Sequence, residues 1–105
     1  MLSLNETHIT DTSLGTLDKL RHLWCVDLDH TQITGADFAD FHFVERLEML
    51  FVADTQVTDH TLAQLSVARR LEELWVHDTN VTLDGIAKLQ ESLPSCIIHL
   101  SSSYL

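Results

Sequence analysis

Seven histidines and sixteen acidic residues are the most obvious candidates for chemistry in this chain of 105 residues. Six of them are expected to share one face of the fold, namely His30, His77, His99, Asp29, Asp54 and Asp78. Imidazole and carboxylate groups together can bind transition metals. However, the sequence contains neither an HExxH motif nor a paired CxxC spacing. We therefore expect no metal and no cofactor, and we interpret these side chains as solvated surface groups.

Nucleophilic chemistry has equally little support in the sequence. Cys25 and Cys96 are about three repeat units apart, or roughly 14 Å at the spacing of adjacent strands, which is too far for a disulfide. No third residue at a defined spacing would orient a Cys/His pair, and there is no glycine-rich phosphate loop. We therefore predict that the protein is not an enzyme. Two unpaired cysteines and no visible secretory signal favour an intracellular, cytoplasmic location.

Composition excludes further classes of function. The net charge is −10, and a chain of this charge repels phosphate backbones, so nucleic acid is not expected as a partner. No segment approaches the roughly 20 apolar residues of a membrane span. With 45% apolar residues the chain can form a core, and we expect a folded domain that binds neither nucleic acid nor membrane.

A 24-residue repeat dominates the sequence. LWCVDLDHTQITGADF begins at Leu23, LEMLFVADTQVTDHTL at Leu47 and LEELWVHDTNVTLDGI at Leu71. We number the positions of each unit from these leucines. The chain is then a single array over 1–105, with partial units at 1–22 and 95–105 and full units at 23–46, 47–70 and 71–94. Such periodicity is typical of solenoids, in which one unit buries its apolar face only by stacking on the next.

Each unit is predicted to contain a strand, a turn and a short helix. Positions 4 and 6 are apolar and alternate with other residues, which indicates a strand. Thr at position 9 (Thr7, Thr31, Thr55 and Thr79, with Ser103 in the last unit) is expected to satisfy backbone groups of the turn. Thr at position 12 (Thr10, Thr34, Thr58 and Thr82) is a good helix N-cap. Apolar residues at positions 16, 19 and 22, including Leu14, Leu17 and Leu20, predict the buried side of a helix.

The pattern LxxLxLxxTx[IV]T resembles the leucine-rich repeat family, and in particular its cysteine-containing subfamily, with Thr at the turn position. LPSCI, from Leu93, is similar to a common final-repeat ending in this family. The resemblance covers almost the whole chain. It implies an α/β solenoid with a parallel sheet on the concave face and short helices on the convex face. It also implies a protein-binding scaffold.

Positions 3, 5, 7 and 8 are expected to form the surface that binds a partner. The predicted partner-binding residues are Asp27, Asp29, Met49, Phe51, Asp54, Glu73, Trp75, His77, Asp78 and His99. Phe51 and Trp75 are expected to be neighbours that form an exposed aromatic pair, and exposed aromatic residues are common anchors of interfaces.

Charge is also separated along the repeat, because positions 2 to 10 contain eight acids and neither Lys nor Arg. All six basic residues occur at positions 18 to 24. We therefore predict a scaffold that binds a protein with basic residues and an apolar anchor. Two alternatives remain open: self-association through the terminal strands, or a role as the substrate-reading part of a larger adaptor of the ubiquitin-ligase type.

Overall fold

A computed structural model of the protein describes residues 1–101 and contains a parallel β-sheet with short helices between its strands. The five strands lie in the sheet in the order of the chain, β1-β2-β3-β4-β5. The strands are β1 (Leu2–Ser3), β2 (Cys25–Asp27), β3 (Met49–Phe51), β4 (Glu73–Trp75) and β5 (Ile97–His99). The α-helices are α1 (Asp11–Leu14), α2 (His42–Arg46), α3 (Asp59–Gln64) and α4 (Leu83–Ser92), and 3₁₀ helices span Gly15–Lys19, Phe38–Asp40 and Leu65–Val67. The predicted α/β class is therefore confirmed.

The strands pair in register with the sequence repeat. Leu50 lies opposite Val26 on one side and Leu74 on the other, so partners are 24 residues apart. The same spacing relates the outer pairs, since Leu2 lies opposite Val26 and Leu74 lies opposite Ile98. Equivalent residues of successive units therefore form straight columns across the sheet.

One face of the sheet carries the hydrophobic core. Val26, Leu50 and Leu74 at position 4 are almost completely buried, as is Phe38 of a 3₁₀ helix and Leu62 of α3. Because side chains alternate along a strand, the helices that cover position 4 leave positions 3, 5 and 7 on the opposite face. That opposite face has no helix against it among the described residues.

The threonines at position 9 play the role that the sequence predicts. In each of the four described units the hydroxyl donates a hydrogen bond to the backbone carbonyl three residues earlier, at 2.6 to 2.7 Å. Thr31 and Thr55 are buried, so their bonds satisfy carbonyl groups that water does not reach. Ser103, the fifth member of this column, lies outside the described residues.

Three residues after each of the first four strands, the chain has a residue with a left-handed backbone. The φ angles of these residues, all at position 8, lie between 52° and 60°; they are Glu6, His30, Asp54 and Asp78. A left-handed backbone is uncommon outside glycine, and Asp and His adopt it more readily than most residues. The N–H of His30 still bonds at 2.9 Å to the carbonyl of Ala53, two residues past the end of β3. Backbone hydrogen bonds between neighbouring units therefore extend past the strands to this residue before the chain turns toward the helices.

The predicted N-caps are confirmed in two units and wrong in the others. Thr58 and Thr82 accept hydrogen bonds from the backbone at the start of α3 and α4. Thr10 precedes α1 but makes no such bond. No helix begins after Thr34, because Gly35 has a φ of 71° that is incompatible with a helical first turn. The next helical residue there is Phe38.

Aspartates tie successive units together at this turn. Asp11 accepts hydrogen bonds from the N–H groups of Thr34 and Gly35, each at 3.0 Å, and from the Thr34 hydroxyl. Asp59 likewise accepts from the Thr82 N–H at 2.8 Å and from the Thr82 hydroxyl at 2.6 Å. The same bonds are made whether or not a helix follows, because Thr82 caps α4 and Thr34 does not start a helix.

Leu20 is a further correction to the expected helix face. It was expected to be buried at position 22, yet it is 45% exposed. The 3₁₀ helix ends at Lys19, and Leu20 has a non-helical backbone with a φ of −92° and a ψ of 84°. The side chain therefore leaves the periodicity that directs Leu14 and Leu17 into the core.

Candidate binding surface

The candidate site is the sheet face that has no helix against it, which we call the open face. It is formed by the side chains at positions 3 and 5, which lie in strands β2 to β5, and by those at position 7, two residues after each of these strands ends. Its members are Cys25, Asp27, Asp29, Met49, Phe51, Ala53, Glu73, Trp75, His77, Ile97, His99 and Ser101. Asp54 and Asp78 lie at the edge of this face, in the turns that end β3 and β4.

A ladder of three stacked rings runs across the open face. The ring centroids of Phe51 and Trp75 are 4.1 Å apart, those of Trp75 and His99 are 4.4 Å apart, and each pair is within 8° of parallel. The register explains the stack, since Phe51, Trp75 and His99 are paired residues of adjacent parallel strands. Strands about 4.8 Å apart place planar side chains almost in van der Waals contact.

Trp75 is not the exposed anchor that the sequence predicts. Only 5% of its surface is exposed, because a ring covers each face of the indole. Phe51 and His99, at the two ends of the ladder, are half-buried. The predicted neighbour relation is correct and the predicted exposure is wrong. A partner would therefore reach Phe51 and His99 before it reached Trp75.

Two polar groups of the open face are buried without a hydrogen-bond partner among the described residues. They are the indole Nε1 of Trp75 and the Nδ1 of His77, two residues further along the chain. Buried polar groups are usually satisfied, and leaving one unpaired costs about 1–3 kcal/mol. On the helix side, the Nε of Arg46 is also buried without a partner, whereas the buried Thr31 and Thr55 hydroxyls are bonded.

Asp27 and Asp29 lie beside the Phe51 end of the ladder. Asp29 accepts a hydrogen bond from the Ala53 N–H at 2.7 Å, and Asp27 accepts one from the Asp29 N–H at 3.0 Å. Burial raises the pKa of the Asp29 carboxyl, the bond from Ala53 opposes that rise, and the nearby Asp27 charge adds to it. Within residues 1–101 no Lys or Arg nitrogen lies within 4.0 Å of a carboxylate. These carboxylates therefore have no cationic lysine or arginine partner of their own.

Histidine and carboxylate side chains form two pairs on or beside the open face. The Nδ1 of His30 lies 2.7 Å from a carboxylate oxygen of Asp54, and the Nε2 of His99 lies 3.1 Å from one of Glu73. The hydrogen bond with Asp54 raises the pKa of His30. The His99 ring therefore stacks on Trp75 with its face and contacts the Glu73 carboxylate with its Nε2 edge.

The structure brings most of the predicted partner-binding residues together. The half-buried ones are Asp27, Asp29, Met49, Phe51, Glu73, His77 and His99; Asp54 and Asp78 are exposed, and Trp75 is buried. In the part of the chain that is described, no three metal-binding side chains come close enough to hold an ion. Cys25 and Cys96 are both free and buried. Burial raises the pKa of the Cys96 thiol to about 11, which does not favour a reactive thiolate.

Sequence reasoning missed Trp24, which is 45% exposed at position 2. It lines a cavity of about 520 Å³ at the β1 end together with Met1, Leu20 and Leu23. The signal was present in the repeat, because the same position holds Glu48 and Glu72 in the next units. An aromatic residue where the other units carry a charge indicates a different environment at that end of the array.

The chain matches no family model, and none of the curated proteins matches it either. Across residues 1–101, no helix is both long enough and apolar enough to cross a membrane.

Proposed function

We propose that this chain is a leucine-rich-repeat array that binds a protein partner on its open face and catalyses no reaction. The partner carries basic side chains and a planar or apolar anchor. The observation that carries the proposal is the ring ladder from Phe51 to His99, which lies among carboxylates that make no ion pair with Lys or Arg within residues 1–101.

The repeat geometry supports the family part of the proposal. Residues 24 apart are paired throughout the sheet, and the Thr hydroxyl at position 9 makes the same hydrogen bond in all four described units. A regular array of this kind presents its variable positions in columns on one surface, which suits recognition of an extended or flat partner.

The chemistry of the open face supports the partner class. Stacked rings provide apolar area, and rings with exposed edges or faces are frequent anchors of interfaces. Unneutralised carboxylates attract cationic side chains and speed their association at low salt. A basic partner therefore fits the open face better than an acidic one.

A comparison of two charge-neutralising double variants tests the proposal. Immobilised wild-type chain and the variant Asp27→Asn/Asp54→Asn are used to capture proteins from the lysate of the source cell, at about 50 mM and about 300 mM NaCl. We expect a captured protein with a basic surface whose yield falls several-fold in the variant and at the higher salt, because both changes weaken the same attraction.

The matched control is Asp37→Asn/Asp40→Asn, which removes the same charge from exposed residues on the helix side. Capture by this control should equal capture by the wild type. If both variants lost the partner equally, net charge rather than the open face would explain binding. If capture did not depend on either variant or on salt, the proposal would be wrong.

A second candidate is self-association through the two ends of the sheet. Large apolar side chains are exposed at both ends: Met1, Leu20 and Trp24 near β1, and Leu83, Ile97 and Leu100 near β5. Light scattering over a wide range of protein concentrations tests this candidate. A mass that rises with concentration, and falls back in Trp24→Ser, would favour it over the open face; a constant monomer mass would rule it out.

A further inference from the structure

At the Phe51 end of the ring ladder, no ring contact of the described residues lies on the outer side of the Phe51 ring. One face of the Phe51 ring stacks on Trp75. The registered residue on its other side is Asp27, in β2. An aspartate side chain is much shorter than a phenylalanine ring, and Asp27 directs one oxygen back to the Asp29 N–H. The outer part of the Phe51 ring therefore has no side chain of this column stacked on it, in agreement with its half-buried state.

Carboxylate oxygens border the same space. Asp27 and Asp29 each use one oxygen to accept a backbone hydrogen bond, and their second oxygens make no hydrogen bond in the described part of the chain. Asp29 is partly desolvated and lies near the charge of Asp27, which raises the pKa of its carboxyl. A cation placed between these carboxylates and the ring would relieve that repulsion.

We propose that Phe51, Asp27 and Asp29 form a slot for an arginine side chain of the protein partner. The guanidinium plane stacks on the free face of Phe51 and extends the ladder by one layer, while its N–H groups donate to the two carboxylates. This inference rests on the proposed function and deepens it, since it names the side chain that the open face recognises.

Arginine fits this space better than lysine for a physical reason. A guanidinium is planar and weakly hydrated, so it stacks on an aromatic ring and still donates several N–H groups in its own plane. A lysine ammonium is a compact, strongly hydrated charge that can pair with the carboxylates but cannot stack. Stacked rings that are already parallel within 8° provide the flat surface that a guanidinium requires.

Two short peptides of equal charge test the slot. Blocked tetra-arginine and blocked tetra-lysine peptides are titrated into the full chain at low salt, and binding is followed by NMR through the Phe51 ring protons and the backbone amides of β2 and β3. We expect the arginine peptide to bind about three-fold or more tightly, in line with a stacked cation at a partly exposed ring. We also expect arginine side-chain protons to shift upfield from the ring current of Phe51.

Variants assign the preference to the slot. Phe51→Leu should reduce the ratio of the two affinities to near one while lysine-peptide binding remains. Phe41→Leu, a half-buried phenylalanine on the helix side, should leave the ratio unchanged. Thermal unfolding of both variants checks that they fold, and the upfield shift in the wild type stands by itself if Phe51→Leu does not fold.

The outcomes separate this inference from the proposed function. Equal affinity of the two peptides for the wild type, or no upfield shift of arginine protons, would overturn the slot and leave a basic partner in place. A preference that survives Phe51→Leu would also overturn it. Failure of both peptides to bind at low salt would contradict the slot and the proposed function together.

Discussion

At the scale of single residues, Asp29 combines a structural role with an electrostatic cost. Its oxygen accepts the N–H of Ala53, which is completely buried, and burial raises the pKa of its carboxyl. Asp29→Asn keeps an acceptor oxygen but removes the charge, so we expect the free energy of unfolding at pH 7 to stay equal or rise. Asp29→Ala leaves the Ala53 N–H unpaired, so we expect a loss of about 1–3 kcal/mol. Urea denaturation measures both.

The pH dependence of this pair of variants has a definite sign. A carboxyl whose pKa is raised in the folded state is destabilising when ionised, and the cost disappears once it is protonated in both states. Any gain of Asp29→Asn over the wild type should therefore be present at pH 7 and vanish below about pH 4. If Asp29→Asn lost as much stability as Asp29→Ala, the charge itself would be essential to the bond with Ala53.

His30 and Asp54 form a pH-dependent contact at the edge of the open face. The hydrogen bond with Asp54 raises the pKa of His30 in the folded state, so the stabilisation is full below the unfolded value of about 6.5 and is lost as the pH rises through the folded pKa. Asp54→Asn should lower the pKa of His30 in an NMR titration and lower stability at pH 5 but not at pH 9. Asn also tolerates the left-handed backbone of this residue. An unchanged His30 titration would show that the two side chains do not interact in solution.

At the scale of elements, the contact between α3 and α4 depends on a glycine. Asp59 at the start of α3 bonds to Thr82, and a Cβ atom at Gly85 of α4 would overlap its carboxylate. Glycine to alanine normally stabilises a helix interior by about 1 kcal/mol. We expect Gly85→Ala to be destabilising instead, because the Asp59 carboxylate must move and lose its bonds to Thr82.

A double-mutant cycle with urea denaturation checks this prediction. In the Asp59→Gly background the obstacle is absent, so Gly85→Ala should become neutral or stabilising there. Ala87→Gly, at an exposed position of the same helix, is the control and should cost about 1 kcal/mol in both backgrounds. Equal effects of Gly85→Ala with and without Asp59 would mean that the two helices do not meet at this point.

At the scale of the whole molecule, uncompensated negative charge is the main electrostatic feature. The net charge is −10, and the ion pairs within residues 1–101 involve histidine rather than Lys or Arg. The carboxyl of Glu72 has a raised pKa, first because of a hydrogen bond with the Glu48 carboxyl and then because of the charge of Glu48. Salt should therefore screen repulsion without breaking many attractive pairs.

We accordingly expect stability at pH 7 to rise as NaCl increases from about 10 to about 200 mM, measured as the midpoint of thermal unfolding. Glu72→Gln should raise the midpoint at low salt and reduce its dependence on salt, since it removes one member of a like-charged pair. Repeating the series with KCl controls for ion-specific binding. A midpoint that falls with added salt would show that attractive charge pairs dominate.

Much of the backbone arrangement could be predicted from the sequence, because the repeat decides it. Each strand pairs with the equivalent strand of the next repeat unit, so the fixed spacing of 24 residues sets the register of the sheet. Equivalent residues of successive units therefore lie side by side in columns. The bonds of Thr31 and Thr55 and the adjacency of Phe51 and Trp75 were predictable in this way. The separation of acidic from basic positions is likewise a property of the sequence alone.

Other features were decided only by the tertiary structure, because they depend on what lies on both sides of a residue. Trp75 is buried since rings from two neighbouring units cover it, whereas position and residue type alone suggested exposure. Thr34 starts no helix because the next residue, Gly35, has a left-handed backbone, and Leu20 is exposed because its helix ends one residue early. A repeat determines which residues are equivalent, but burial and hydrogen bonding depend on the size and chemistry of the neighbours that packing brings into contact.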